Sequence, residues 1–153
     1  MQARELTADE AERPLDWHYP EPYETYDAAW PLGSGRGFFA VDDDSGELVG
    51  YGCIGAEARV PGVEEEAGTV DVGYGMRPDL IGQGRGREFV GAVLAHAAAV
   101  DPTARLRMSI LRWNGRSRRV AEAHGFSVVA QVGEFDVRVR EAGAPAEARG
   151  VPS

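Results

Sequence analysis

A chain of 153 residues, 43% of them hydrophobic, is long enough for one domain with a real core. Its single cysteine, Cys53, excludes an internal disulfide and a four-cysteine metal centre, and a net charge of −9 argues against nucleic acid as a partner. Neither end carries a long apolar run or a signal-peptide core, so no membrane span and no secretion are expected, and the chain reads as cytoplasmic.

The elements follow in chain order. Arg4–Leu6 suits a short first strand. Thr7, with Glu10 three residues on, has the pattern of a capping box opening a helix to about Trp17. The stretch from Trp17 to Trp30 is rich in aromatic residues and proline and reads as an irregular or short-helical lid. Gly37–Asp42 reads as a strand, Asp43-Asp44-Ser45-Gly46 as a turn, and Glu47–Val60 as the second strand of a hairpin. Pro61-Gly62 and Glu64-Glu65-Glu66 form an exposed loop. Thr69–Arg77 is a further strand whose glycines, Gly73 and Gly75, suggest a bulge or a close approach by another group. After a glycine turn, Phe89, Val90, Val93, Leu94 and Ala97 recur at helical spacing as far as Val100. Arg105–Arg112 alternates as a half-buried strand, Asn114 suits an N-cap, and Gly125 the C′ position of a short helix. Phe126–Val132 and Phe135–Val139 are two last strands. Ala142–Ser153 is Ala/Pro/Gly-rich and is expected to fray. Helices set within a run of strands imply an α/β (mixed α+β) domain over 1–141, with a central mixed sheet and helices on both faces.

Charge is unevenly spread. Residues 1–76 carry 4 Arg and 17 Asp/Glu, a net −13, whereas residues 77–119 carry 9 Arg and 3 Asp/Glu, a net +6. A basic segment inside an acidic chain suits an anionic ligand, although the same arginines could only balance acidic neighbours. All 16 basic residues are arginine. That removes a Schiff-base or P-loop lysine and favours bidentate phosphate recognition. His18, His96 and His124 lack the spacing of a metal site or a triad, and no metal is expected.

The strongest local signal is the strand–turn–helix around Gly82-Gln83-Gly84-Arg85-Gly86. Alternate glycines let the backbone pass close to a ligand, and the first N–H groups of the following helix attract phosphate. Arg85 and Arg87 add positive charge there. The dinucleotide fingerprint would need glycine at 87, which is Arg, so the turn alone leaves open a purely structural role in helix–strand packing.

The run Met76-Arg77-Pro78-Asp79-Leu80-Ile81-Gly82-Gln83-Gly84-Arg85-Gly86 resembles motif A of the GNAT N-acetyltransferase superfamily, and Asn114–Phe126 is similar to its second landmark, an Asn opening a helix with Gly-Phe following. The resemblance covers roughly residues 37–140. It implies a mostly antiparallel sheet splayed in the middle, and acetyl-CoA as cosubstrate. It further implies that the amides of Gly82, Gln83, Gly84, Arg85, Gly86 and Arg87 hold the pyrophosphate, that the strand at Met76 takes the pantetheine arm, and that Asn114 contacts the cofactor near its thioester. Arg112, Arg116, Arg118 and Arg119 are further phosphate candidates. On the acceptor side it points to the segment with Trp17, His18, Tyr19, Tyr23, Tyr26 and Asp27 and to the loop over 61–68, and the acidic first half of the chain favours a cationic amine. Asp71 stands where many members have a carboxylate and is the candidate base.

Two positions depart from the pattern. Ile81 replaces the first Gln/Arg of motif A, and Ala121 stands where the family commonly has a tyrosine acting as general acid. A non-catalytic acyl-CoA sensor therefore stands as the alternative to an N-acetyltransferase acting on a small-molecule or peptide amine. Self-association into a homodimer is left open.

Overall fold

The computed structural model describes residues 1–33 and 37–143; the expected tail lies, beyond Gly143, outside the described residues. Seven strands run in the order β1-β2-β3-β4-β5-β7-β6: β1 Gln2–Glu5, β2 Phe38–Asp42, β3 Leu48–Ile54, β4 Thr69–Met76, β5 Arg105–Leu111, β6 Ser127–Val132 and β7 Phe135–Arg140. Three α-helices accompany them: α1 Ala8–Glu12, α2 Gly86–Val100 and α3 Gly115–Ala123. The pairing of β4 with β5 is parallel, and β1–β2, β2–β3, β5–β7 and β6–β7 are antiparallel. The sheet is mixed, as expected. No helix of the described residues is long and apolar enough to cross a membrane.

The chain forms two compact units, one of Met1–Cys53 with Tyr74–Val93, the other of Ile54–Gly73 with the chain from Leu94 onward. In the first, the Thr7–Glu10 capping box is present in full. The expected helix to Trp17 is shorter, because Pro14 cannot donate an amide to an α-helical ladder, and the chain tightens into a 3₁₀ turn over Arg13–Asp16. Leu6, Ala11, Ala40 and Leu48 form a core there, with Trp17, Leu32 and Phe38 packed against it. Arg4 joins β1 to its surroundings by donating to both Glu10 and Asp42. The bond from Arg4, with those at Thr7, holds the Glu10 carboxyl down at about 2. The strand expected over Glu47–Val60 stops at Ile54, since Gly55 takes φ +85° and starts a 3₁₀ turn.

In the second unit, β5 buries Leu106, Met108 and Ile110 on one face, as its alternation required. Its ladder with β4 spans Thr69–Arg105, Val70–Leu106 and Asp71–Arg107, and goes no further among the described residues although both strands continue. Helix α3 is closed at both ends by local chemistry. The Asn114 side chain accepts from the Ser117 amide at 3.1 Å, capping the N-terminus. At the other end Gly125 takes φ +84°, its amide donates to Glu122 O, and the Phe126 amide donates to Ala121 O. These two bonds make a Schellman motif.

Candidate functional site

The glycine turn belongs to the first unit. Beyond β4, Pro78–Leu80 forms a 3₁₀ turn, and Gly82 and Gly84 follow with φ of +82° and +77°, a region L side chains avoid. A Cβ at Gly84 would meet nothing within 4 Å, so this glycine is required by backbone conformation and leaves open space above it. The turn is braced from below. Arg77 donates through Nε and Nη2 to Asp79 at 2.7 and 3.1 Å and through Nη1 to Leu48 O at 2.8 Å, while the Gln83 side chain donates through Nε2 to Asp79 O at 2.8 Å. Helix α2 begins with the Phe89 amide donating to Arg85 O. Arg85 has no side-chain acceptor to cap the amides of Gly86, Arg87 and Glu88. A braced turn, open space over Gly84 and a helix start beside two arginines fit an anionic phosphate ligand.

Met76 closes β4 in the same unit and is buried. Its carbonyl accepts from the Tyr19 hydroxyl at 2.6 Å, and the amide of the following Arg77 donates to Val49 O at 2.8 Å. The peptide joining Met76 and Arg77 is thus anchored at both its oxygen and its nitrogen. Gly75 answers the expectation of a close approach: a Cβ there would lie 2.6 Å from the Tyr51 ring. Gly50, in β3, is equally confined, since a Cβ would come 2.5 Å from Gly75 O and 2.6 Å from Phe89.

The aromatic segment packs onto this strand end. Trp17 stacks on Tyr51 with ring centroids 6.1 Å apart, and Tyr51 also meets Phe38 at 6.0 Å. Tyr23 stacks on Tyr26 at 6.5 Å, and Tyr26 meets Tyr19 edge-on at 6.5 Å. The Tyr19 amide donates to Asp27 at 2.8 Å, which with the His18 contact holds that carboxyl below its usual range. Burial pushes the Tyr19 hydroxyl well above the usual phenol value and Tyr51 up to about 12. Sequence reasoning named Trp17, Tyr19, Tyr23 and Tyr26 on the acceptor side but did not single out Tyr51. The one signal pointing to Tyr51 was the isolated Gly75, whose missing side chain makes room for its ring.

The remaining predicted residues lie in the second unit. Asp71 is 3% exposed, and its oxygens are occupied: Arg107 donates through Nε at 2.6 Å and Nη2 at 3.0 Å, and Arg59 through Nη1 at 3.2 Å. Arg107 also donates to Glu64 O at 2.6 Å, which ties the acidic loop to the strands. This arrangement is a buried ion pair. Asn114 is buried, and besides accepting from the Ser117 amide it donates through Nδ2 to the Ser117 hydroxyl at 3.2 Å. Of the arginines singled out, Arg112 donates to Phe135 O and Arg118 to Arg112 O. Ala121 is fully buried. Among the described residues no cluster of His, Cys, Asp or Glu has the makings of a metal site.

A family model described as an acetyltransferase (GNAT) domain matches residues 3–127. Comparison with curated proteins found no match. Among solved structures, the aminoglycoside acetyltransferase AAC(6')-Ib in complex with coenzyme A superposes with a TM-score of 0.71 at 18% identity, covering 92% of this chain and 94% of that one. A spermidine N-acetyltransferase SpeG chimera from Vibrio cholerae and hSSAT gives 0.64 at 13% identity, covering 90% and 92%. Campylobacter jejuni N-acetyltransferase PseH in complex with acetyl coenzyme A gives 0.55 at 14% identity, covering 68% and 66%. At these identities the likeness is one of fold.

Proposed function

Because the chain belongs to the GNAT acetyltransferase family, we propose that it transfers an acetyl group from acetyl-CoA to a primary amine by direct attack. The observation that carries this reading is the glycine turn, with positive φ at Gly82 and Gly84, open space over Gly84, and amides of α2 that Arg85 cannot cap. In this reading the amides from Gly82 to Arg87 hold the pyrophosphate, with Arg85 and Arg87 adding charge. The strand end at Met76 takes the pantetheine arm.

The amine nitrogen attacks the thioester carbonyl carbon, the C–N bond forms, and the C–S bond breaks. An alkylamine near pKa ~10 must first lose a proton. Asp71 is given no part in that step, because Arg107 and Arg59 already occupy it. Water takes that proton before attack and a second one from the nitrogen after the C–N bond has formed, and water also protonates the departing thiolate, whose thiol has a pKa near ~8.5. No hydroxyl at position 121 is needed for this.

The acceptor side is the aromatic segment with Trp17, Tyr23 and Tyr26. Its flat rings and the acidic residues Glu21, Glu24 and Asp27 favour a cationic amine. Solved structures of similar fold carry kanamycin or are named for spermidine, both polycationic amines. The second reading, a non-catalytic acyl-CoA sensor, is favoured by the buried Ala121 and the occupied Asp71. Calorimetry with acetyl-CoA, followed by thiol release with spermidine, kanamycin and the anionic 4-aminobenzoate, tests both. Binding with turnover of a cationic amine is expected. Binding without turnover supports the sensor, preference for the anion removes the charge argument, and no binding at millimolar acetyl-CoA removes both readings.

A further inference from the structure

We propose that the Tyr51 hydroxyl polarises the thioester: it donates a hydrogen bond to the thioester carbonyl oxygen while the amine nitrogen attacks. This rests on the reading above, in which the strand end at Met76 carries the acyl arm. Negative charge gathers on that oxygen as the C–N bond forms, and a donor already in place stabilises it. Three donors converge on Gly75 and Met76 within the first unit. The Arg77 amide is committed to Val49 O at 2.8 Å, and the Tyr19 hydroxyl to Met76 O at 2.6 Å. The third is the Tyr51 hydroxyl, whose oxygen lies 2.7 Å from where a Cβ on Gly75 would stand.

That third hydroxyl has no hydrogen-bond partner among the described residues. It is not sealed in the core either. Among the described residues Arg138 Nε is the one buried side-chain polar atom without a partner, and Tyr51 is partly exposed, so its oxygen reaches solvent beside the strand end. The ring, by contrast, is clamped. Trp17 stacks on it, Phe38 meets it edge-on, and Gly75 has no side chain to displace it. The O–H is therefore held in place by its ring alone and is left open to an acceptor from outside the chain. Burial pushes the phenol up to about 12, so at neutral pH Tyr51 keeps its proton and serves as a donor. The proton stays on the phenol oxygen throughout, and the protons of the amine and of the thiol still pass through water.

The hydroxyl could instead be only the wetted end of a packing residue, and the test separates these roles. Tyr51→Phe keeps the ring in its clamp and removes only the O–H. Because that O–H has no partner in the protein, Tm should stay within about 2 °C of wild type. In the full chain, with acetyl-CoA and spermidine or kanamycin, kcat is expected to fall about 10- to 100-fold, since water replaces part of the lost bond, while the amine KM stays within about twofold. A second readout needs no turnover. With acetyl-CoA isotopically labelled at the thioester carbonyl, the infrared C=O stretch of the bound ligand should lie at higher frequency in Tyr51→Phe than in wild type. If Tyr51→Phe does not remain folded, 3-fluorotyrosine at position 51 replaces it, and its stronger donor should lower the stretch. An unchanged stretch, or a kcat within about twofold of wild type in a folded variant, overturns the proposal. A wild-type chain that binds acetyl-CoA yet acetylates none of these amines overturns the acetyltransferase reading alone, and the carbonyl stretch then decides this inference. A chain that does not bind acetyl-CoA overturns both.

Discussion

Replacing Asp71 tests whether its carboxylate is a structural partner or a base. It is 3% exposed and accepts three hydrogen bonds from two guanidiniums, with Arg107 itself 7% exposed. Asp71→Ala would leave a buried Arg107 whose other partners are the Glu64 carbonyl at 2.6 Å and Glu66 at 3.7 Å. Breaking a buried pair from one side costs about 3–5 kcal/mol, and Asp71→Asn, which keeps one acceptor oxygen, about 2–3 kcal/mol. For a chain of this length that is a fall in Tm of about 5–10 °C for Asn and about twice that for Ala. The pair can also be removed whole. Asp71→Leu combined with Arg107→Met should recover much of the loss, because no uncompensated charge then stays buried. The assay is thermal unfolding beside thiol release, with rates expressed per folded molecule. Asp71→Asn is expected to melt early and turn over within a few fold of wild type. A Tm within about 1 °C of wild type together with a rate loss of 10²-fold or more would refute the structural assignment and return Asp71 to the role of base.

Gly50→Ala should destabilise by about 1–3 kcal/mol in urea unfolding, because its methyl would overlap Gly75 O and the Phe89 ring; an unchanged midpoint would mean the strands part more easily than their spacing implies. The Glu10 carboxyl is held down at about 2, so its bonds to Arg4 and Thr7 stabilise the fold above the unfolded value near 4.5 and are lost as pH falls through 2. Glu10→Gln should therefore flatten the loss of stability between pH 4.5 and 2 by about 2 kcal/mol, screening at the part-exposed Arg4 included, and acid unfolding curves of equal slope would refute this. Ala121→Tyr, which restores the side chain the family commonly has, enters a fully buried position and should lower Tm by several degrees without raising the rate; a faster, equally stable variant would show that the site wants a proton donor there.

Patterns with a local cause were legible from sequence, and those with a distant cause were not. The Thr7–Glu10 box, the alternation of Leu106, Met108 and Ile110, and the glycines at 82 and 84 each follow from residues a few places apart, and each appears in the structure. The end of β3 at Ile54 was missed because the apolar residues after it suggested continuation, while the +85° φ of Gly55 decided otherwise. The pairing of Asp71 with Arg107 spans 36 residues and that of Tyr19 with Met76 spans 57, and no spacing rule reaches so far. An acidic residue on a strand looks the same in sequence whether it faces a substrate or a guanidinium.

The second landmark of the family shows why a motif can identify a chain without assigning its chemistry. Asn114 and Gly125-Phe126 stand at the two ends of α3, and each has a complete structural reason to be there. Asn114 caps the first turn through Ser117, and Gly125 permits the left-handed residue on which the bonds to Glu122 and Ala121 depend. Their separation is the length of a nine-residue helix plus its caps. The spacing therefore specifies a helix of fixed length placed after β5. A contact between Asn114 and a cofactor would be a second use of a side chain already committed through its oxygen and its nitrogen to Ser117. The glycine turn differs in this respect. Gly84 is fixed by its backbone conformation, yet the space where its side chain would stand is filled by nothing within 4 Å, and the amides beyond it begin a helix with no capping side chain at Arg85. Of the two landmarks, it is the turn that leaves open space beside a helix start, and so it carries more of the functional argument.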